Sequence, residues 1–597
     1  MNPLTTPQAE VKITAPPAGQ SAKKVVVAVH GIGDQFRYAT VQSVAAAFTD
    51  YCGHRGRTPL GGFHATPPEV GSWRLFEPTW PPEIPAKLRG TVFAEIYWAG
   101  IPREAAQSKD TIEEAKSWAQ TVVERVRALD YCKNKEAQID YDKASTVVAE
   151  MIETIRVLEN LLFIASKAGM AKFELASLLT DYLGDVQIVT EFADYRARIA
   201  EEFDRVMRAL SDPRKNPELE EIHIVAHSEG TVVSFLGIMT ALTRNSAADK
   251  QWTDKLAGYL TIGSPIDKHI VMWPDLWKSF ARPEGRERAR PIQWRNYYDY
   301  GDPVGFELDS ARDWLVQNKW KQSAEEIAPN DFFDFTSAHD IGFTRYPFPG
   351  KAHNDYWKDG AVFSHFIAEV IEGKPDVARP STKLLPWIVS WILPYLFCLS
   401  LLGFGVYLFY KAVAKFVPGA TTEFVFVGKN VVALTFLLAG MTLIARVPRL
   451  AKFWPWHIVA GIVFGLSIWG YNSLISNAAA NELGGFFYRH FGGNARWDLI
   501  AVIALIGLLA ATISAWWPRA GLKPLMWMSA ALAAIVAHQL INGRLGDATL
   551  WPVILAGAAF LYLWWLSALI FDLVFVWHRY IRFSTGNKML RAMRPAN

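Results

Sequence analysis

Ser228 is the residue of this sequence whose surroundings point most directly to chemistry. A run rich in β-branched residues, 221–225, leads into it, and an apolar helical pattern follows. Small residues, Ala226 and Gly230, stand two positions away on either side. A strand that turns sharply into a helix has no room for larger side chains at those positions, and the turn presents the serine hydroxyl to a substrate. The pattern therefore predicts a nucleophilic serine.

A second group of residues, 30–35, could stabilise the negative charge that develops when such a serine attacks a carbonyl. It follows the apolar run 25–29, which is typical of a buried strand in a parallel sheet. Glycines directly after a central strand let the backbone approach a ligand closely. The N–H of Ile32 or Gly33, together with that of Glu229, would form an oxyanion hole. An ordinary strand-to-helix turn is the alternative, and the serine motif favours the oxyanion hole.

An acid is expected after a later strand. Residues 294–300 have the composition of a strand and lead into Asp302, where a carboxylate could hold an imidazole in the required tautomer and stabilise its charged form. A turn aspartate before proline is a frequent structural arrangement and is the alternative. Asp299 and Asp309 are the second choices for the acid. We expect Asp302 to be the acid.

The general base should follow the acid along the chain. Three histidines, His339, His353 and His365, meet that condition. His353 lies in a predicted loop near the end of the half of the chain that carries most charge, with Tyr356 and Trp357 beside it, which suits a base in an apolar cleft. His365 has a helical context and His339 could be a structural loop histidine. We therefore expect His353 to be the base.

Composition divides the chain into two parts. The sequence has 597 residues, and most of its charged residues lie before about position 373, whereas long apolar runs follow. The net charge of +3 gives no reason to expect a nucleic-acid partner. Three widely spaced cysteines argue against a disulfide framework or a zinc site and fit a reducing compartment. Residues 1–22 have no apolar core, and we expect a disordered tail there rather than a signal peptide.

The apolar part predicts a membrane domain of about six helices over 384–578. Each run has the length, about 20 residues or more, that a helix needs to cross a bilayer. The runs are 384–410, 425–446, 456–476, 498–517, 523–542 and 550–578. Buried helices of a large soluble domain are the alternative, but several runs hold no charge over 18 or more residues. Asp572, near the end of the last run, is expected to be hydrated or ion-paired.

Lys and Arg indicate the orientation of these helices. More of them occur in the loops on the side of the N-terminus than on the opposite side. By the positive-inside rule, both termini and the charged half of the chain face the cytoplasm. We expect an integral protein of the bacterial inner membrane, with membrane lipids as its environment and with helices that could also support a homo-oligomer.

The charged half is expected to form an α/β domain over 23–373, with a mostly parallel sheet. A linker, 374–383, and a basic cytoplasmic tail, 579–597, flank the all-α membrane domain. The glycine- and proline-rich stretch 52–89 is expected to form a loop. Between the strand 92–98 and the serine motif, the helical stretch 103–210 is far longer than one connecting helix, which predicts an insertion. It would be either a helical hairpin packed on the core or a lid that meets the membrane surface.

These motifs, in this order, resemble the lipase-like branch of the α/β-hydrolase superfamily, including class 3-like and inositol-deacylase-like lipases. The resemblance covers roughly residues 23–370 and rests on short motifs. They are His30-Gly31-Ile32-Gly33, Ala226-His227-Ser228-Glu229-Gly230, Gly301-Asp302-Pro303-Val304 and His353-Asn354-Asp355-Tyr356-Trp357. Two residues depart from the pattern: Ala226 replaces the usual glycine, and Glu229 puts a carboxylate beside the oxyanion hole, where we expect it to point away or to be paired.

The resemblance implies a membrane-anchored serine esterase that cleaves acyl esters of lipids through an acyl-enzyme, with Ser228 as nucleophile, His353 as base and Asp302 as acid. No metal or organic cofactor is implied. A thioesterase that removes acyl groups from proteins would use the same residues. A membrane receptor or scaffold with a hydrolase-fold binding domain is the alternative from another class, and a transporter is less favoured because the apolar runs lack polar clusters.

Overall fold

The computed structural model describes residues 23–32, 35–53, 60–64, 75–78, 84–107, 118, 121, 186–346 and 349–393. Their central feature is an eight-stranded sheet. The strands are β1 (Lys24–Val29), β2 (Leu60–His64), β3 (Leu75–Pro78), β4 (Thr91–Ile96), β5 (Glu221–His227), β6 (Leu256–Ile262), β7 (Gln293–Asp299) and β8 (Asp340–Phe343). The spatial order is β2-β3-β4-β1-β5-β6-β7-β8. The six neighbouring strands β4, β1, β5, β6, β7 and β8 are parallel. β2 and β3 extend the sheet beyond β4 in antiparallel orientation.

Helices and helical turns connect and cover these strands. The α-helices are Ala39–Tyr51, Gly100–Gln107, Ala193–Ser211, Glu229–Arg244, Ala247–Thr253, Ile266–Met272, Asp309–Gln317, Pro349–Asn354 and Gly360–Phe366. Shorter turns occupy Ala86–Leu88, Pro274–Trp277, Ser337–His339, Asp355–Lys358 and Ile367–Ile371. The helix Glu229–Arg244, which follows Ser228 directly, is called the elbow helix below.

The two faces of the sheet are buried in two separate cores. Side chains alternate between the faces of a strand, and in β1 Val25, Val27 and Val29 enter one core while Val26 and Ala28 enter the other. The first core lies under the elbow helix and the helix Ala193–Ser211, and the second under Ala39–Tyr51 and Gly360–Phe366. Burial on both faces explains the near-continuous apolar sequence of β1, and it confirms the predicted α/β class.

Three details of the sequence analysis were wrong. Residues 52–89, predicted as a loop, contain β2 and β3, and β8 was not predicted at all. β2 includes two glycines and β8 has four residues, so neither carries a strong strand pattern, and pairing with neighbouring strands fixes them. His353, predicted in a loop, lies near the end of the short helix Pro349–Asn354.

Several predictions fall largely outside the described residues. Of the insertion 103–210, which was predicted as a packed hairpin or a lid, the structure describes 103–107, 118, 121 and 186–210. The tails 1–22 and 579–597 lie outside the described residues. Of the predicted membrane domain, the structure describes only residues 384–393, which are helical. Within the part of the chain that the structure describes, no helix has the length and apolar character needed to cross a membrane. The predicted domain boundaries stay predictions.

Candidate active site

Ser228 stands at the sharp turn between β5 and the elbow helix. Its φ of 53° and ψ of −134° lie in a region that residues other than glycine rarely adopt, at a cost of about 1–3 kcal/mol. Neighbouring backbone holds it there: its N–H donates to the carbonyl of Ile262 at 3.0 Å, and its carbonyl accepts from the N–H of Thr231 at 2.9 Å. The chain therefore fixes the serine in the strained turn that the sequence predicts.

The small residues around the serine allow close backbone contact. A Cβ on Gly230 would lie 2.1 Å from the carbonyl oxygen of His30, so only glycine fits where the elbow helix crosses the end of β1. A Cβ on Gly31 would lie 2.7 Å from the Cβ of Ser228. Ala226 is fully buried in β5. Gly31 and Gly230 thus bring the loop after β1 against the serine turn.

The three predicted site residues Ser228, His353 and Asp302 form one hydrogen-bonded chain. His353 Nε2 lies 2.9 Å from Ser228 Oγ, and His353 Nδ1 lies 3.0 Å from each carboxylate oxygen of Asp302. An ionised carboxylate only accepts hydrogen bonds, so Nδ1 carries the proton and Nε2 is free to accept one from the serine. All three side chains are buried. This arrangement can activate a hydroxyl as a nucleophile.

The carboxylate of Asp302 is held in its ionised form. Burial alone would raise its pKa, but the charge of His353 and hydrogen bonds from His353 and from the N–H groups of Gly305 and Val304 outweigh burial and keep the pKa below its ordinary value. The Val304 N–H lies 2.7 Å from Asp302 Oδ1. Asp302 can therefore orient the imidazole and stabilise its positive charge.

The second-choice residues for the acid have other partners. Asp299 accepts backbone hydrogen bonds from Gly301 and Arg345, at 2.7 and 2.8 Å, and burial raises its pKa to about 6. Asp309 pairs with Arg312 in the helix Asp309–Gln317. Both carboxylates brace local structure and neither contacts His353.

The second-choice histidines are also structural. His365 Nδ1 lies 2.7 Å from the hydroxyl of Tyr297. His339 Nδ1 lies 2.8 Å from the carbonyl of Asp334. Neither histidine is hydrogen-bonded to Ser228 or Asp302.

Tyr356 supports the acid, and the sequence analysis did not give it that role. Its hydroxyl donates to Asp302 Oδ2 at 2.9 Å and accepts from the N–H of Asp299 at 2.7 Å. Its ring leaves no room for a side chain at Gly263, where a Cβ would lie 2.9 Å from Tyr356 Cε2 and 3.2 Å from His353 Nδ1. The sequence shows that an aromatic residue, Tyr356, stands three positions after His353, but it does not show which groups the tyrosine hydroxyl binds.

His227 is a second supporting residue that the sequence did not reveal. Its Nε2 donates to the carbonyl of His353 at 2.8 Å, and the two rings lie 4.9 Å apart. Burial, followed by the nearby charge of His353, lowers the pKa of His227 to about 3, so the ring is neutral at physiological pH. His227 thereby fixes the backbone that carries the base.

The predicted oxyanion hole is described in part. The N–H of Glu229 begins the 16-residue elbow helix, whose N-terminus carries partial positive charge. In the described part of the chain, neither this N–H nor that of Ile32 has a hydrogen-bond acceptor. Gly33, the other predicted donor, lies outside the described residues. Glu229 and Ile32 therefore leave two backbone donors available near the serine.

His30 holds the loop that carries Ile32. Its Nε2 accepts from the N–H groups of Trp98 and Ala99, at 3.1 and 3.3 Å, and its Nδ1 donates to the carbonyl of Gly31 at 2.7 Å. Burial lowers the pKa of His30 to about 4, so the neutral tautomer that makes these bonds persists at physiological pH. His30 thus anchors the loop that carries Ile32.

The Glu229 side chain is paired, as the sequence analysis expects. It is 2 % exposed, and its Oε2 lies 3.1 Å from His269 Nε2 in the helix Ile266–Met272.

The described residues contain no cluster of His, Cys, Asp or Glu side chains suited to a metal ion. Comparisons with models of protein families, with curated proteins and with solved structures give no match to this chain, so the interpretation of the site depends on its own geometry.

Proposed function

We propose that this chain is a serine hydrolase with an α/β-hydrolase domain that cleaves acyl esters of lipids. The observation that carries the proposal is the continuous hydrogen-bonded chain from Ser228 through His353 to Asp302. The backbone N–H groups of Ile32 and Glu229, which have no acceptor among the described residues, add support. Ser228 and Asp302 follow the carboxyl ends of the parallel strands β5 and β7, the edge at which α/β sheets bind ligands. The order serine, acid, histidine along the chain adds support.

The mechanism follows from these positions. His353 Nε2 takes the proton of Ser228 as Oγ attacks the ester carbonyl, and Asp302 stabilises the imidazolium that forms. The N–H groups of Glu229 and of Ile32 or Gly33 stabilise the oxyanion, and one such donor typically contributes about 100-fold or more to turnover. The imidazolium then protonates the departing alcohol. Water activated by His353 releases the acid from the acyl-serine.

The lipid substrate and the membrane location are the further parts of this proposal. The apolar runs over 384–578 would anchor the enzyme in the bacterial inner membrane with the α/β domain on the cytoplasmic side. Residues 384–393, the described beginning of the first run, are helical and carry the exposed apolar side chains Leu384, Leu385 and Ile392. Exposed apolar side chains of this kind favour contact with lipid or with another protein.

A fluorophosphonate probe tests the proposal directly. Such a probe reacts covalently with an activated serine, so we expect the detergent-purified full chain to be labelled at Ser228 and the Ser228→Ala variant to remain unlabelled. Acid release from oxygen esters and from thioesters, measured in parallel, identifies the acyl donor. Folded wild-type protein that is neither labelled nor active on either class of ester would contradict the proposal and favour a binding module.

Replacing Tyr356 by phenylalanine should remove one of the hydrogen bonds that hold the Asp302 carboxylate, while the carboxylate itself stays in place. The variant leaves the buried N–H of Asp299 without its acceptor, which costs about 1–3 kcal/mol of stability, and it removes one donor from Asp302. We expect kcat to fall roughly tenfold with KM little changed, because the missing hydrogen bond, worth about 1–1.5 kcal/mol, acts on the charge that develops in the transition state.

Ester kinetics and urea unfolding of Tyr356→Phe measure these two effects. Tyr346→Phe is the matched control. The hydroxyl of Tyr346 lies 3.3 Å from the carbonyl of Asp355 and is not hydrogen-bonded to Ser228, His353 or Asp302. Equal effects of the two substitutions on kcat would show that Tyr356 has only a structural role.

A further inference from the structure

The carboxylate of Glu229 has one oxygen with a hydrogen-bonding partner and one without. Oε2 faces His269 Nε2 at 3.1 Å, whereas Oε1 is buried and receives no hydrogen bond from any described residue. Nδ1 of the same histidine is also buried and has no hydrogen-bond partner among the residues that the structure describes. Buried polar atoms in folded proteins are nearly always hydrogen-bonded, so an exception beside a nucleophile requires an explanation.

The charged side chains closest in sequence to His269 have other partners. Lys268 donates to the carbonyl of Pro303 at 2.9 Å and lies 3.9 Å from the centre of the Phe306 ring. Asp267 accepts from the N–H of Ala311 at 3.0 Å. These two side chains therefore do not supply a hydrogen bond to Oε1 of Glu229.

The position of Glu229 limits where that group can be. Glu229 follows Ser228 directly, so their Cα atoms are about 3.8 Å apart, and its own N–H is a proposed oxyanion donor. Oε1 belongs to the same residue, which places this acceptor next to the nucleophile along the chain. Ser228 is itself 1 % exposed, and a substrate that reaches its hydroxyl enters the same buried environment.

We infer that Oε1 of Glu229 accepts a hydrogen bond from a substrate hydroxyl near the scissile ester, so that the preferred substrates are acyl esters of polyols with a free hydroxyl. Monoacylglycerols and lysophospholipids have this chemistry. A hydroxyl has one proton to donate and one acceptor is vacant, whereas an ammonium group would bring three donors into a buried site. The inference rests on the proposed serine hydrolase and specifies its substrate class.

A pair of esters of equal size separates this hydrogen bond from general ester hydrolysis. 2-Hydroxyethyl butyrate and n-propyl butyrate differ by a hydroxyl in place of a methyl group. A site built to accept from a hydroxyl discriminates against the analogue that lacks it. We expect kcat/KM of the full chain to be at least about tenfold higher for the hydroxyl ester, after correction for the uncatalysed rates.

Variants then assign the preference to Glu229. Glu229→Met has a side chain of similar length whose thioether is only a weak acceptor, and we expect the ratio of the two kcat/KM values to fall to about two or less. Asp267→Asn is the matched control, since it alters another buried carboxylate on the neighbouring helix, and it should keep the wild-type ratio. Fluorophosphonate labelling of each variant establishes that its serine site is assembled.

The outcomes distinguish the two proposals. A labelled wild-type enzyme that hydrolyses both esters equally would overturn the inference and leave the serine hydrolase standing. A preference that persists in labelled Glu229→Met would overturn it as well. If Glu229→Met does not fold, the wild-type ratio still decides. Folded wild-type protein with no labelling and no hydrolysis would overturn the proposed function, and the inference with it.

Discussion

Turnover of acyl esters is expected to fall about 10⁴-fold when Asp302 is replaced by asparagine. The amide can occupy the position of the carboxylate, but it can present an N–H to His353 Nδ1, which in the wild type donates to the Asp302 oxygens, 3.0 Å away. The imidazole would then carry its proton on Nε2, facing Ser228. In that tautomer Nε2 cannot take the serine proton, so the general base is lost although the side chains remain in place.

Steady-state kinetics of the purified full chain measure this effect. Asp309→Asn is the matched control, because Asp309 follows the same strand but pairs with Arg312 instead of a histidine, and we expect it to lose less than tenfold. Similar losses in the two variants would contradict the assignment of Asp302 as the acid. A thermal unfolding midpoint close to that of the wild type would show that the loss is chemical.

The largest effect on stability is expected for Gly230→Ala. The added Cβ would lie 2.1 Å from the carbonyl oxygen of His30 and 2.9 Å from that of Val29. Both are backbone atoms, so no side-chain rotation relieves the clash, and the elbow helix must move away from the end of β1. Overpacking a core costs about 1–3 kcal/mol, and a backbone clash should reach or exceed the upper value. That is a large part of a typical folding free energy of about 5–15 kcal/mol.

Urea unfolding of Gly230→Ala compared with Gly360→Ala tests this expectation. A Cβ at Gly360, the first residue of the helix Gly360–Phe366, meets nothing within 4 Å, so alanine there should leave stability unchanged or increase it slightly. Gly230→Ala should also reduce labelling of Ser228, because the serine turn moves with the helix. A Gly230→Ala protein as stable as the wild type would show that the two backbone segments can separate without cost.

Local patterns were sufficient to select Ser228, His353 and Asp302, the three residues that the structure joins by hydrogen bonds. The apolar run into Ser228 and the small residues around it identify a tight strand-to-helix turn from adjacent positions alone. The order of the acid and the base along the chain then reduces the alternatives to a few residues. Asp302 and His353 could be chosen because each lies in a segment with a distinctive sequence after a strand.

The supporting residues could not be predicted, because their partners are distant in sequence. His227 donates to the backbone of His353, and Tyr356 joins Asp299 to Asp302. No local pattern specifies such pairings, which depend on how the strands order in the sheet. The same limit applies to β2, whose two glycines give little strand signal before it pairs with β3.

The base and the hydroxyl that supports the acid come from one short stretch of chain. His353 and Tyr356 are three residues apart, at the end of one helix and in the turn that follows, and His227 is bonded to the carbonyl of His353. A displacement of this stretch would withdraw the proton acceptor from Ser228 and a hydrogen bond from Asp302 in a single event. Local unfolding around His353 would therefore separate the proposed base from both Ser228 and Asp302 at once, and it would abolish the proposed activity while the sheet remained intact.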